Sequence, residues 1–175
     1  MTVSANFELS FAGQIDFGIS FGGPYFQGEF NLKNTFIDGV GSDQFDLTYF
    51  SQRVVASGAN DDLDLYGSLL TPMGSTINAA ELVGIMVVNR PIDANAAPNT
   101  TNLTIGGGSN VQTVGWLGGS DTRIQTISPG GIFMMMNPNA SGMGIVTNGS
   151  ADIIRITNSA GASNTYTVAL LLRSA

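Results

Sequence analysis

The sequence predicts an all-β chain: an antiparallel two-sheet β-sandwich, jelly-roll-like, with an N-terminal β arm. Three observations predict it. Short apolar runs recur between Gly, Pro, Asn and Ser, as in Ile132-Phe133-Met134-Met135-Met136, Asp152-Ile153-Ile154-Arg155-Ile156 and Tyr166-Thr167-Val168-Ala169-Leu170-Leu171-Leu172. The first 31 residues alternate apolar and polar side chains at period two, which puts one set on a single strand face. Long segments with the 3.6-residue apolar period of a helix are missing. A chain of 175 residues is one domain with a projecting arm, divided here into residues 1–31 and 32–175.

The arm comes first. Phe7, Leu9 and Phe11 stand two apart, as do Ile15, Phe17, Ile19 and Phe21. Gly22-Gly23-Pro24 interrupts the pattern, and Tyr25, Phe26 and Phe30 resume it. Six of the ten phenylalanines fall in this stretch, so its aromatic face needs a cover. That cover is either the chain's own core or a neighbouring body. The candidate partner interface is Phe7, Phe11, Phe17, Phe21, Tyr25, Phe26 and Phe30.

Residues 32–50 read as a connector with turns at Asp38-Gly39 and Gly41-Ser42. Gln52 to Ala56 reads as a strand, and residues 61–67 alternate with Leu63 and Leu65 inward. Thr71-Pro72-Met73-Gly74 is a turn, with Pro presetting a central position. Residues 75–81 fit a helical turn or a strand. Leu82 to Asn89 is valine-rich and continuous, as a buried strand should be. Arg90 to Asn102 is a polar loop, and Leu103-Thr104-Ile105 a strand entering Gly106-Gly107-Gly108. Val111 to Trp116 alternates like a strand, and Ile124 to Ile127 leads into the Ser128-Pro129-Gly130-Gly131 turn. In the methionine run, Met134 and Met136 share one face and Met135 takes the other. An apolar strand of that kind is central in its sheet, or its outer face is covered by a partner.

Composition excludes much chemistry. The chain has neither cysteine nor histidine, which removes disulfides, thiolate and imidazole metal sites, and Ser-His-Asp or Cys-His catalysis. Charged residues are only 11%, against about a quarter in ordinary domains, so Ser, Thr, Asn, Gln and Gly must coat the surface. The net charge is -7, and the six cations, Lys33, Arg53, Arg90, Arg123, Arg155 and Arg173, are scattered. A nucleic-acid or anionic-membrane surface needs them clustered, so neither partner is expected. The Met1 start lacks the pattern of a secretory signal, and no apolar run approaches the roughly 20 residues of a membrane helix. Synthesis in a cytoplasm is expected.

The remaining constellations are weak. Asp61, Asp62 and Asp64 are a dense acidic group, but alternation splits Asp61 from the other two, and the closing Glu of a calcium loop is missing. They read as a solvated strand end. Asp38, Asp43 and Asp46 are looser still. Gly106-Gly107-Gly108 lacks the Lys-Ser/Thr pair of a phosphate loop and reads as a turn. Trp116 could stack on a sugar, although a lone tryptophan in a sandwich belongs to its core. The sequons at Asn99, Asn102, Asn139 and Asn148 matter only in a glycosylating route. Neither catalysis, a metal nor a cofactor is expected.

One ordered series of motifs stands out. Asp62-Leu63-Asp64-Leu65 is followed by Gly67 and Leu69, then Gly74-Ser75-Thr76-Ile77 and Leu103-Thr104-Ile105-Gly106-Gly107. Pro129-Gly130-Gly131-Ile132, Pro138-Asn139-Ala140-Ser141-Gly142, Asp152-Ile153-Ile154-Arg155-Ile156-Thr157-Asn158-Ser159 and Thr165-Tyr166-Thr167-Val168 complete it. This order resembles the small β-sandwich structural proteins of tailed bacteriophages, of the capsid decoration or cement type, over residues 32–173. The resemblance implies a non-enzymatic virion protein. It would bind the outside of the shell and bridge capsomers, with the major capsid protein and copies of itself, as a homotrimer, for partners. The alternative it leaves open is a tail, baseplate or fibre component, including a host-receptor-binding module. The aromatic stretch before residue 32 departs from the family's plainer starts.

Overall fold

The computed structural model describes residues 5–16 and 25–174; within the first two strands, side chains are described at Glu8, Ser10, Lys33 and from Thr35 onward. The chain is all-β, 51% strand and 3% helical, in several antiparallel sheets of which none closes. In chain order the strands are β1 (Ala5–Asp16), β2 (Tyr25–Asp38), β3 (Gln44–Phe45), β4 (Leu47–Val55) and β5 (Asn60–Asp64). Then come β6 (Tyr66–Leu70), β7 (Thr76–Asn78), β8 (Glu81–Val88), β9 (Leu103–Gly106) and β10 (Ile124–Ile127). The last four are β11 (Ile132–Met136), β12 (Gly144–Ile145), β13 (Ile153–Asn158) and β14 (Asn164–Arg173).

β1 and β2 form a hairpin in one unbroken register, from Ala5 opposite Phe36 to Asp16 opposite Tyr25. β2 thus continues past residue 31 to Asp38, where β3 joins it in a short parallel pairing. Two larger sheets follow. One has the order β11-β8-β14-β4, with β12 also beside β8; the other has β10-β9-β13-β5. β6 and β7 make a separate hairpin. It is closed by the expected turn, in which the Gly74 N–H donates to the Thr71 carbonyl at 2.8 Å.

Alternation explains which faces are buried. In β13, Ile154, Ile156 and Asn158 are buried while Ile153, Arg155 and Thr157 are half-buried. One apolar cluster takes Leu63, Ile105, Ile154 and Ile156 from the four-stranded sheet and Ile85, Val87, Val168 and Leu170 from the other. Each such side chain contributes about 1.5–3 kcal/mol when fully removed from water. A second, smaller cluster lies apart, built from Phe36, Phe45 and Val83 with Met136 and Leu171 packed on it.

Two polar devices tie the edges. Arg173, 0% exposed as a residue, donates to Oε2 of Glu81 at 2.8 Å and to the carbonyls of Gln44, Asn139 and Ala140 at 2.9–3.0 Å. It thereby fastens β3, β8 and the loop after β11 to the end of β14. At the other end of the sheets, Asn158 Nδ2 donates to the carbonyls of Val55, Ala56 and Ala162, and Asn89 Nδ2 to those of Thr101 and Ile127. Asn99 joins this network, donating to Asn89 Oδ1 and the Thr165 carbonyl, both at 2.7 Å. A glycan on that nitrogen would replace one of its two hydrogens and so remove at least one of these bonds.

The structure departs from the sequence reading at three segments, the first being residues 32–50, which are no plain connector but hold the end of β2, all of β3 and the start of β4. Val111 to Trp116 is not a strand: Gln112–Gly115 forms a 3-10 helix. The N–H groups of Trp116 and Leu117 turn back to the Thr113 carbonyl, and the Trp116 indole donates to Gln112 Oε1 at 2.8 Å. This local bonding replaces a ladder. Trp116 itself is half-buried against the core and stacks on Phe133, with centroids 6.1 Å apart. The aspartates are not simply a solvated strand end, because Asp61 and Asp62 chelate Arg53 and Arg155. For the methionine strand β11 the sequence left two readings, and the structure excludes only the central one. The strand lies at the edge of its sheet, and Met134 and Met135 are 38% and 39% exposed.

Candidate docking face

β8 and β14 lie inside the five-stranded sheet, so the sequence gives them apolar residues on both faces. The inner set belongs to the main core. The outer set lines up across the ladder. In one row Thr48, Leu171, Gly84 and Met136 stand side by side; in the next, Phe50, Ala169, Met86 and Met134 do.

The two rows have different fates. Phe36, at the root of the hairpin, and Phe45 of β3 meet edge-on at 6.0 Å and cover the first row at Leu171 and Met136. The second row is open. Phe50 is 59% exposed, although it carries as much apolar surface as the buried phenylalanines. Val54, on the same face of β4, and Ile132, on the same face of β11, are exposed as well.

Between hairpin root and sheet lies a groove of about 370 Å³. Its floor is Gly84: a Cβ there would stand 3.4 Å from Met136 Cβ and 3.6 Å from Leu171 Cδ1. A larger side chain there would intrude into the groove. Four of the chain's seven methionines line it, Met86 and the run 134–136, with Glu8 of β1 as the one charged lining residue among those described. Thioether side chains are unbranched and polarizable, so such a surface repacks around varied apolar contacts. Among the described lining residues none is a nucleophile or part of a matched acid–base pair. What the lining can do is bury apolar side chains, with one carboxylate at the rim.

The residues that the sequence nominated fall differently. Phe17 and Phe21 lie outside the described residues. Phe7, Phe11, Tyr25, Phe26 and Phe30 lie in the hairpin, where the register puts Phe11 opposite Phe30, Phe7 opposite Asn34 and Phe26 opposite Ile15. By register Phe7, Phe11, Phe26 and Phe30 hold ladder positions of one alternating set, while Tyr25, opposite Asp16, belongs to the set of Glu8 with Lys33 and Ser10 with Asn31. Sequence reasoning missed Phe50, Met86 and Ala169, because only the pairing of β4, β14, β8 and β11 makes one row of four distant segments. The Met134 and Met136 spacing was the single signal pointing there.

Elsewhere among the described residues, no group of three or more Asp or Glu could hold a metal ion, and no helix is long and apolar enough to cross a membrane. Family models, curated proteins and solved structures were all compared with this chain, and none matches it.

Proposed function

We propose that this chain is a non-enzymatic structural protein of a tailed-phage virion. In this reading it is a capsid decoration protein that binds the outer shell, bridges capsomers and works as a homotrimer. The two large sheets are read as a β-sandwich with the hairpin as its arm, since one core draws on both. The observation that carries the reading is the open apolar row Phe50, Ala169, Met86 and Met134 beside the groove at the hairpin root. A contiguous exposed apolar patch with a polar surround is a contact surface. The motif order over residues 32–173 supplies the setting, and the low charge leaves little repulsion against assembly.

The test is addition of purified protein to preformed shells that lack it. Wild type should bind and raise the temperature at which shells open. The Phe50→Asp/Met134→Asp double variant should keep its fold by circular dichroism and lose binding at least tenfold. Normal binding by the variant would rule this face out as the contact surface. Recovery of the protein with isolated tails, and none on shells, would overturn the decoration role.

A further inference from the structure

Asp152 is a buried carboxylate with an unexpected attachment. The residue is 5% exposed, and its buried Oδ1 has no hydrogen-bond partner among the described residues. Its backbone is pinned on both sides: its N–H donates to the Asn110 carbonyl at 3.0 Å, and its carbonyl accepts the Leu65 N–H at 2.8 Å. Its other oxygen, Oδ2, accepts the backbone N–H of Gly149 at 2.5 Å.

Gly149 follows Asn148, and this is the sole Asn-Gly pair in the chain. The two sit in a tight turn closed by Thr147 and Ala151, whose N–H groups donate to each other's carbonyls at 3.0 and 2.8 Å. Gly149 has φ +74°, and a Cβ there would have open space around it. Asn148 is exposed, and among the described residues its carboxamide makes no hydrogen bond. Other amides are placed differently. Asn158 is buried with its nitrogen committed to three carbonyls, and the N–H after Asp38 is bound by the Phe45 carbonyl rather than by a carboxylate.

We propose that Asn148-Gly149 is a self-modification site, at which Asp152 acts as the base for conversion of Asn148 to aspartate and isoaspartate. The Gly149 nitrogen attacks Asn148 Cγ, and its proton passes to Asp152 Oδ2. The new C–N bond closes a succinimide. The Cγ–Nδ2 bond breaks, the departing nitrogen takes the proton from Asp152, and ammonia leaves. One solvent water then opens the ring at either carbonyl, giving aspartate or isoaspartate. A base already bonded to the proton that must leave needs no search, and such placement is what makes general-base assistance effective. The product carries one more negative charge. The isoaspartate form also adds a methylene to the main chain inside the turn.

Peptide mapping by mass spectrometry after incubation at neutral pH tests this. Ammonia loss followed by water gain should accumulate at Asn148 ahead of every other Asn in the folded protein. Aligned general bases contribute on the order of 100-fold or more, so Asp152→Asn, which keeps the side-chain size but not the basicity, should slow conversion at least fivefold. A smaller change in a folded variant overturns the proposal. If Asp152→Asn does not fold, native wild type is compared with wild type in urea, where Asp152 is no longer placed. Faster conversion in the native protein supports the base, and equal or slower conversion overturns it.

Discussion

Tyr166 and Asp61 lie 105 residues apart and meet between the two large sheets, the Tyr166 hydroxyl donating to Asp61 Oδ2 at 2.8 Å. Arg53 closes the cluster, donating from Nε and Nη2 to the two carboxylate oxygens at 2.6 and 2.7 Å and from Nη1 to Tyr49 Oη at 2.9 Å. Burial pushes the Asp61 carboxyl up, but the bonds from Arg53 and Tyr166 and the Arg53 charge outweigh it, so its pKa falls below the ordinary 3.8. Burial and the Asp61 charge raise the Tyr166 hydroxyl well above its ordinary 10.0.

These shifts give a stability window. Asp61, depressed in the fold, contributes stability above the unfolded pKa of about 4 and loses it as pH falls through the lower folded value. Tyr166, raised in the fold, contributes fully below its unfolded pKa of about 10 and loses that as pH rises toward the folded value. Denaturant melts from acid to alkaline pH should show a plateau between those limits. Tyr166→Phe should cost about 1.5–3 kcal/mol on the plateau, for a lost hydrogen bond to a charged group. Its deficit against wild type should narrow above about pH 10. A deficit constant across that range would contradict the assignment.

Arg173→Ala should be among the costliest substitutions away from the main apolar core. It strands the Glu81 carboxylate and several carbonyls that the guanidinium now satisfies. Removing one partner of a buried pair costs about 3–5 kcal/mol. Arg173→Lys, with three donors on one nitrogen, should recover part of that loss. Urea midpoints at constant m-value measure both.

Phe36→Ala should separate the hairpin from the sheet without unfolding the latter. Phe36 belongs to the small cluster with Phe45 and Val83, not to the main core. Loss of a buried phenylalanine costs about 3–5 kcal/mol where the structure unfolds as one unit. Here the expected result is early proteolysis within residues 38–44, with a smaller fall in the main melting transition. Cleavage and melting that change together would show that the hairpin is not an independent unit.

Asn158→Asp replaces a nitrogen that donates to three carbonyls by an oxygen that repels them. The expected cost is about 3 kcal/mol or more at neutral pH, from lost bonds and a buried charge. Acidification should relieve part of it, since a protonated carboxyl regains a donor. Thermal melts of variant and wild type at two pH values read this directly.

How much of this the sequence carried depends on whether the controlling interaction was local. Leu82 to Asn89, Leu103 to Ile105, Ile124 to Ile127 and the closing run from Tyr166 were legible as strands, because period and turn residues lie within each segment. The 3-10 helix at Gln112–Gly115 was not, because bonds to Thr113 and between Gln112 and Trp116 overrode an alternating pattern. Asp61 was legible as facing away from Asp62, but its partners Arg53 and Tyr166 come from other strands. The docking row was the least legible part. Phe50 and Ala169 become neighbours only through the β4–β14 register, which no local period encodes.

The order of strands in each sheet also governs time. β14 lies between β4 and β8, and β13 between β5 and β9, so the latest strands to be synthesised are the central ones. Until they arrive, β4 and β5 have no ladder partner in their sheets, and the loops to be closed span about a hundred residues (Asn164 to Val55, Ile153 to Asp64). Chains dominated by such distant pairings fold in milliseconds to seconds rather than microseconds. During that interval the valine-rich strand β8 has its β14-side edge open to other nascent chains. Yield of the native protein is therefore set by crowding and temperature during synthesis as much as by the stability finally reached.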